Sequence, residues 1–152
     1  MIQAPLSEFA DKMSEIMPVI VKEFARRETH ELYKSKITLA QMLVLSCLHE
    51  KSDAKMKDLA SFMKVSTAAM TGIADRLVRD GYVCRVYEPR DRRVIKVKLT
   101  AKGEELLQKI NRQRRQMVID VFGRLKPQDR SDYLRVITQI REILLNEDEE
   151  GH

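Results

Sequence analysis

Between Val65 and Leu99 the spacing of apolar residues changes once, from a helical period to a strand period, and that change dictates a short helix followed by a half-buried hairpin. Met70, Ile73, Ala74, Leu77 and Val78 recur at the spacing of one helical face, behind Ser66 as an N-cap, and Gly81 ends the run. Beyond it Cys84 and Val86 alternate with Arg85 and Tyr87, while Ile95, Val97 and Leu99 alternate with Lys96 and Lys98, the pattern of two strands with one face buried. Between the strands, Glu88 to Arg93 predicts a charged turn carrying three arginines. A tip of that kind suits contact with an anion.

The flanking sequence predicts helices. Leu6, Phe9, Met13, Ile16, Met17, Ile20 and Phe24 mark a first amphipathic helix from near Ser7, bent at Pro18, and the weakly periodic stretch Arg26 to Lys36 reads as a fraying helix end plus loop. Thr38 and Gln41 have the spacing of a capping box, with Ile37 and Met42 as a hydrophobic staple. The second helix they open is expected to bury Ala40, Leu43, Val44, Cys47 and Leu48, and a polar link from Glu50 to Ala54 stops it. A short third helix with Met56, Leu59, Ala60 and Met63 inside turns tightly through Lys64, Val65 and Ser66 into the next, a helix-turn-helix. The hairpin that follows makes it a winged helix-turn-helix.

Thr100 caps a fifth helix, with Glu104 and Glu105 in its first turn, where the helix dipole favours negative charge. Arg112, Arg114 and Arg115 interrupt its apolar residues, so it is expected to leave the core partway. Pro127 opens a sixth helix that carries Tyr133, Leu134, Val136, Ile137, Ile140, Ile143 and Leu144. The first, fifth and sixth helices bear wider apolar stripes than one small domain requires. They are expected to interlock with a second copy, the competing reading being a monomer that buries them in its own core.

Charge narrows the function. Glu147, Asp148, Glu149 and Glu150 form an acidic tail, and from Arg76 to Arg115 there are 13 Lys or Arg against 5 Asp or Glu. The bland reading is a solvated face, but the concentration points to a polyanionic partner. Cys47 and Cys84 make neither a disulfide framework nor a zinc cluster and read as reduced core thiols, and the apolar surroundings of Cys47 argue against an oxidant sensor. His30 and His49 lie near Glu28, Glu31 and Glu50 without metal-ligand spacing, so no metal or cofactor is expected. The eight methionines read as core filler, although Met13 and Met17 would make adaptable walls for a cavity. An enzyme is excluded by inventory, since no glycine phosphate loop, nucleophile motif or metal pair occurs. No apolar run approaches the roughly 18 residues of a membrane helix. The N-terminus, MIQAPLSEFADKM, has no signal-peptide pattern, so the expected location is the cytoplasm, with no membrane contact.

The run STAAMTGIADRLVRDGYVCRVYEPRDRRVIKVKLTAKG resembles the DNA-binding core of the MarR family of bacterial and archaeal transcriptional regulators. Three features carry the resemblance: Asp75, Arg76 and Leu77 ahead of Gly81; the D-x-R of Asp91 and Arg93 in the wing; and the LT-x-K-G from Leu99 to Gly103. The detailed match runs from about Thr38 to Gly103, and the remainder agrees as helices of suitable length and order. The resemblance implies a homodimer of triangular outline, held by its terminal helices, whose two lobes bind a pseudo-palindromic operator. In many relatives a small, often phenolic, anionic compound releases the DNA.

The expected fold is therefore mainly α with a small β-hairpin wing, in a single domain of residues 1–152. A winged helix-turn-helix lobe at about 38–100 is flanked by dimerisation helices at about 6–30 and 101–146, with the acidic tail at 147–152. Phosphate contacts supply affinity for double-stranded DNA and base contacts supply sequence preference. Ser66, Thr67, Ala68, Met70 and Thr71 are assigned to the base edges of a major groove about 12 Å wide, with Gly72 permitting close approach. For Ser66 and Thr67, helix capping is the competing reading. Arg93 is assigned to the narrow minor groove and Asp91 to holding its guanidinium. Arg90 and Arg92 contact phosphates or remain in solvent, and Arg76 either contacts phosphate or braces the wing. The rival functions are a winged-helix protein-interaction module and a non-specific DNA coat.

Overall fold

A computed structural model describes residues 5–27 and 36–150, the side chains of 147–150 excepted. The expectations for Glu28, His30, Glu31 and most of the loop up to Lys36 lie outside the described residues, as do those for the acidic side chains of the tail. The elements are α1 (Leu6–Arg27), α2 (Leu39–Lys51), β1 (Asp53–Lys55), α3 (Met56–Met63), α4 (Thr67–Arg79), β2 (Val83–Glu88), β3 (Asp91–Leu99), α5 (Ala101–Phe122) and α6 (Pro127–Glu150). They form two compact units, one ending at Gln113 and the other beginning at Arg114. None of the described helices is long and apolar enough to cross a membrane.

The first unit holds the core. Thr38 Oγ1 accepts from the Gln41 backbone N–H at 3.2 Å, and the Gln41 side chain accepts from the Thr38 N–H at 2.9 Å, completing the capping box. Ile37 and Met42, the expected staple pair, are both buried. The buried side of α2 differs from the expected stripe: Leu43 is exposed and Ala40 half-buried, whereas Gln41, Met42 and Leu45 join Val44, Cys47 and Leu48 inside. The cause is tertiary, because α2 packs against α3, α4, β1 and β3 and so is covered on more than one side. Leu59 and Ala60 of α3 and Met70, Ala74 and Leu77 of α4 complete the helical part of the core.

The turn between α3 and α4 is made by Lys64 in the left-handed region, with φ of 52°. Its N–H bonds to Ser61 O at 3.1 Å, and the Val65 N–H bonds to Ala60 O at 3.0 Å. Ser66 then opens α4, accepting from the Ala69 N–H at 3.1 Å.

The sheet has three strands rather than the two of a hairpin, in the antiparallel order β1-β3-β2. The added strand, β1, occupies part of the expected polar link, and its middle residue Ala54 is buried opposite Val97 of β3. Lys96 on β3 reaches Glu88 of β2 at 3.0 Å and Asp53 at 3.4 Å, so one ammonium ties both edges of the sheet to its centre. The hydrogen bond to Glu88, followed by the charge of Asp53, holds Lys96 above its ordinary pKa. The tip is narrower than expected. Glu88 pairs with Asp91, leaving Pro89 and Arg90 as the turn and placing Arg92 and Arg93 on β3.

At the start of α5, Thr100 Oγ1 accepts from the Gly103 N–H at 3.1 Å and donates to Gly81 O at 2.6 Å, joining the new helix to the end of α4. Leu106, Leu107 and Ile110 then enter the core, and burial stops before Arg112, where the basic interruption predicts departure. His49 Nδ1 lies 3.0 Å from Glu104 Oε2, linking the last turn of α2 to the first turn of α5. In the second unit, the rings of Phe122 and Tyr133 meet at 5.1 Å. Neither α1 nor the described part of α6 contains a buried side chain.

Two measurements follow from the α5 junction. A Cβ added at Gly103 would lie 2.0 Å from Tyr82 O. Gly103→Ala is thus expected to destabilise the chain by about 1–3 kcal/mol in urea unfolding, because backbone must shift to admit the methyl. The hydrogen bond from His49 lowers the Glu104 pKa below its ordinary value of 4.5. A carboxyl depressed by folding adds stability above its unfolded pKa and loses it as pH falls through the folded value. Glu104→Gln should flatten that acid limb when unfolding free energy is measured against pH.

Candidate nucleic-acid interface

Helix α4 divides sharply into two faces. Met70, Ala74 and Leu77 have no exposed surface, and the half-buried Ile73 and Val78 pack beside them. On the other side Ser66, Thr67, Ala68, Thr71, Gly72, Asp75 and Arg76 are exposed. Up to Gly72 that face carries only hydroxyls, methyls and one hydrogen, so the helix axis can come close to a partner surface. Thr71 Oγ1 donates to Thr67 O at 2.9 Å, which leaves its lone pairs outward as acceptors. Ser66 Oγ is engaged as the cap, so the capping role holds for Ser66 whatever else its hydroxyl touches. Met70 corrects the expected assignment. Its side chain is fully buried in line with Ala74 and Leu77, and it belongs to the core rather than to the exposed face.

The wing presents an exposed cation beside a carboxylate. Asp91 Oδ1 accepts from the Arg93 backbone N–H at 3.0 Å and lies 3.4 Å from Arg93 Nε. Although tethered at its root, the Arg93 side chain remains 94% exposed, with its guanidinium open to solvent. Arg90 and Arg92 are exposed on either side of Asp91.

Helix and wing are joined by a contact that periodicity does not reveal. Arg85 on β2 donates to the Asp75 carboxylate of α4, forming an ion pair between the two elements. In the sequence Arg85 reads only as an outward position of an alternating strand, and its partner lies ten residues away on another element. Asp75, not Arg76, thus makes the brace. Arg76 instead lines a polar hollow of about 540 Å³ together with Lys36, Arg79, Asp80, Tyr82 and Lys102.

Among the described residues, no three His, Cys, Asp or Glu side chains gather where a metal could sit. Burial pushes the Cys47 thiol above its ordinary pKa, which makes it a poor nucleophile.

Comparison with known proteins fits this geometry. The family model described as the MarR family matches residues 37–95, from the N-terminus of α2 into β3. The transcriptional regulator FarR of Neisseria gonorrhoeae is 30% identical over 116 residues, 74% of this chain and 80% of that protein. The transcriptional repressor MdtR of Bacillus subtilis is 37% identical over 71 residues, 47% of this chain and 46% of that protein. The fold is that of a MarR family protein from Bacillus stearothermophilus, with a TM-score of 0.79 and 22% identity over 93% of this chain and 99% of that one. With its helix-turn-helix and wing tip inside the matched stretch, the chain belongs to the MarR family of DNA-binding transcriptional regulators, which are not enzymes.

Proposed function

We propose that the chain is a sequence-specific repressor that binds a pseudo-palindromic operator as a homodimer in the cytoplasm. The observation that carries this reading is the pairing of a short-side-chain helix face with an exposed, tethered arginine on the wing. Thr67, Ala68 and Thr71 meet base edges in the major groove, with Ser66 at the same turn as cap and acceptor. Arg93 enters the minor groove, held by Asp91, while Arg76, Arg90 and Arg92 contact phosphates.

Dimerisation is supported by α1 and α6, which carry large apolar residues at least half exposed within one copy, among them Leu6, Phe9, Leu134, Ile143 and Leu144. Exposed apolar faces of this kind, one on each unit, favour a partner. Residues 6–27 and 101–146 then serve as the dimer frame and 38–100 as the DNA-binding lobe. Two recognition helices about 34 Å apart would read half-sites about 10 base pairs apart. Repression is supported by the similarity to MdtR, itself named a repressor. A small aromatic acid is the proposed effector, accommodated beside the adaptable Met13 and Met17 of α1 and displacing the DNA.

Selection of genomic fragments with the purified protein, followed by footprinting, tests the reading. A two-fold symmetric footprint is expected. Binding that follows salt but not sequence would instead identify a DNA coat, and no DNA affinity would identify a protein-interaction module. On the selected fragment, Arg93→Ala should lower affinity by about 1–3 kcal/mol with the dimer intact.

Gly72 separates folding from recognition. A Cβ there meets nothing within 4 Å, so Gly72→Ala should raise stability by about 0.5–1 kcal/mol through helix propensity. The same methyl stands on the face proposed to meet DNA. Operator affinity is expected to fall while the melting temperature rises, and an unchanged affinity would remove Gly72 from the interface.

A further inference from the structure

We infer that the Asp75–Arg85 ion pair is a positioning device that sets the angle between recognition helix and wing, and through it the discrimination between DNA sequences. The inference rests on the proposed sequence-specific reading and adds two residues to it that touch neither base nor phosphate. Three observations carry it. Met70, Ala74 and Leu77, flanked by the half-buried Ile73 and Val78, hold α4 by apolar packing, which sets its depth but supplies no directional bond to the wing. Among the described residues, no other side-chain hydrogen bond or ion pair joins α4 to the hairpin. The third is the face on which Arg85 lies. It pairs in register with the buried Val97, on the side of the sheet that meets α4.

Stability does not account for the pair. The Asp75 side chain is 57% exposed, and ion pairs so exposed contribute little to folding. Its place is informative instead. Asp75 stands one helical turn beyond Thr71, beside the face proposed to enter the groove, where an unpaired carboxylate would repel phosphates. Arg85 cancels that charge and, by donating from a planar guanidinium, also restricts the direction from which the carboxylate can be approached. A base-reading helix and a minor-groove arginine must engage one duplex at once, so an error in their mutual angle weakens the correct site more than a random one.

Charge and geometry predict opposite signs for one substitution. If the carboxylate matters only as a charge, Asp75→Asn removes repulsion and strengthens binding to every DNA alike. Acting as a positioning group, its loss should lower the ratio of affinities for the selected fragment and for a scrambled fragment of equal length by about tenfold, with scrambled-fragment affinity unchanged or raised. Arg85→Ala should lower the same ratio, and the charge-exchanged double variant Asp75→Arg/Arg85→Asp should recover most of it. Melting temperatures within about 2 °C of the parent are expected for the single variants, which separates the effect from unfolding. An unchanged ratio in Asp75→Asn, or a double variant whose loss is the product of the two single losses, would overturn the inference. Failure of the parent protein to discriminate between the fragments would overturn the operator reading itself.

Discussion

The line of Met70, Ala74 and Leu77 against α2 and α3 is the contact on which the remaining architecture depends. Burying a side chain the size of Met70 or Leu77 contributes about 1.5–3 kcal/mol, and Ala74 between them allows the helices to approach closely. Because α4 meets its burial requirement on one face, the other can consist of Ser66, Thr67, Ala68, Thr71 and Gly72, residues too small to hold a helix in place. A face made only of short side chains is available to a helix anchored from behind.

The wing solves a different electrostatic problem. A hairpin tip with Arg90, Arg92 and Arg93 close together repels itself. Asp91 reduces that repulsion by accepting from the Arg93 backbone and lying beside its guanidinium. Lys96 acts similarly one layer down, where Glu88 and Asp53 close around it and keep β1 and β2 registered on β3. The carboxylates of this basic surface therefore position cations; they do not merely dilute the charge.

Much of this organisation was legible in the sequence where the determining interaction is local. The capping box of Thr38 and Gln41, the Ser66 cap, the end of helical burial before Arg112 and the Asp91–Arg93 contact all involve residues within a few positions of one another, and all occur as expected. The departures share one cause, which is packing from elements remote in sequence. Leu43 and Leu45 exchange places between surface and core because α2 is covered on several sides, and three-residue β1 is too short to show a period until β3 lies against it. Met70 is instructive. Its spacing from Ala74 and Leu77 already marked it as core, and only its position in the first turns of α4 suggested the groove.

By itself the sequence determined the order of the described helices and the hairpin, the buried face of α4 and the concentration of positive charge on the wing, because periodicity, caps and charge act over one or two turns of chain. Tertiary structure decided which apolar residues of α2 are buried, that the sheet has a third strand and that Asp75 pairs with Arg85. Those outcomes depend on which distant surfaces meet, and a pairwise contact between separate elements leaves no period along the chain.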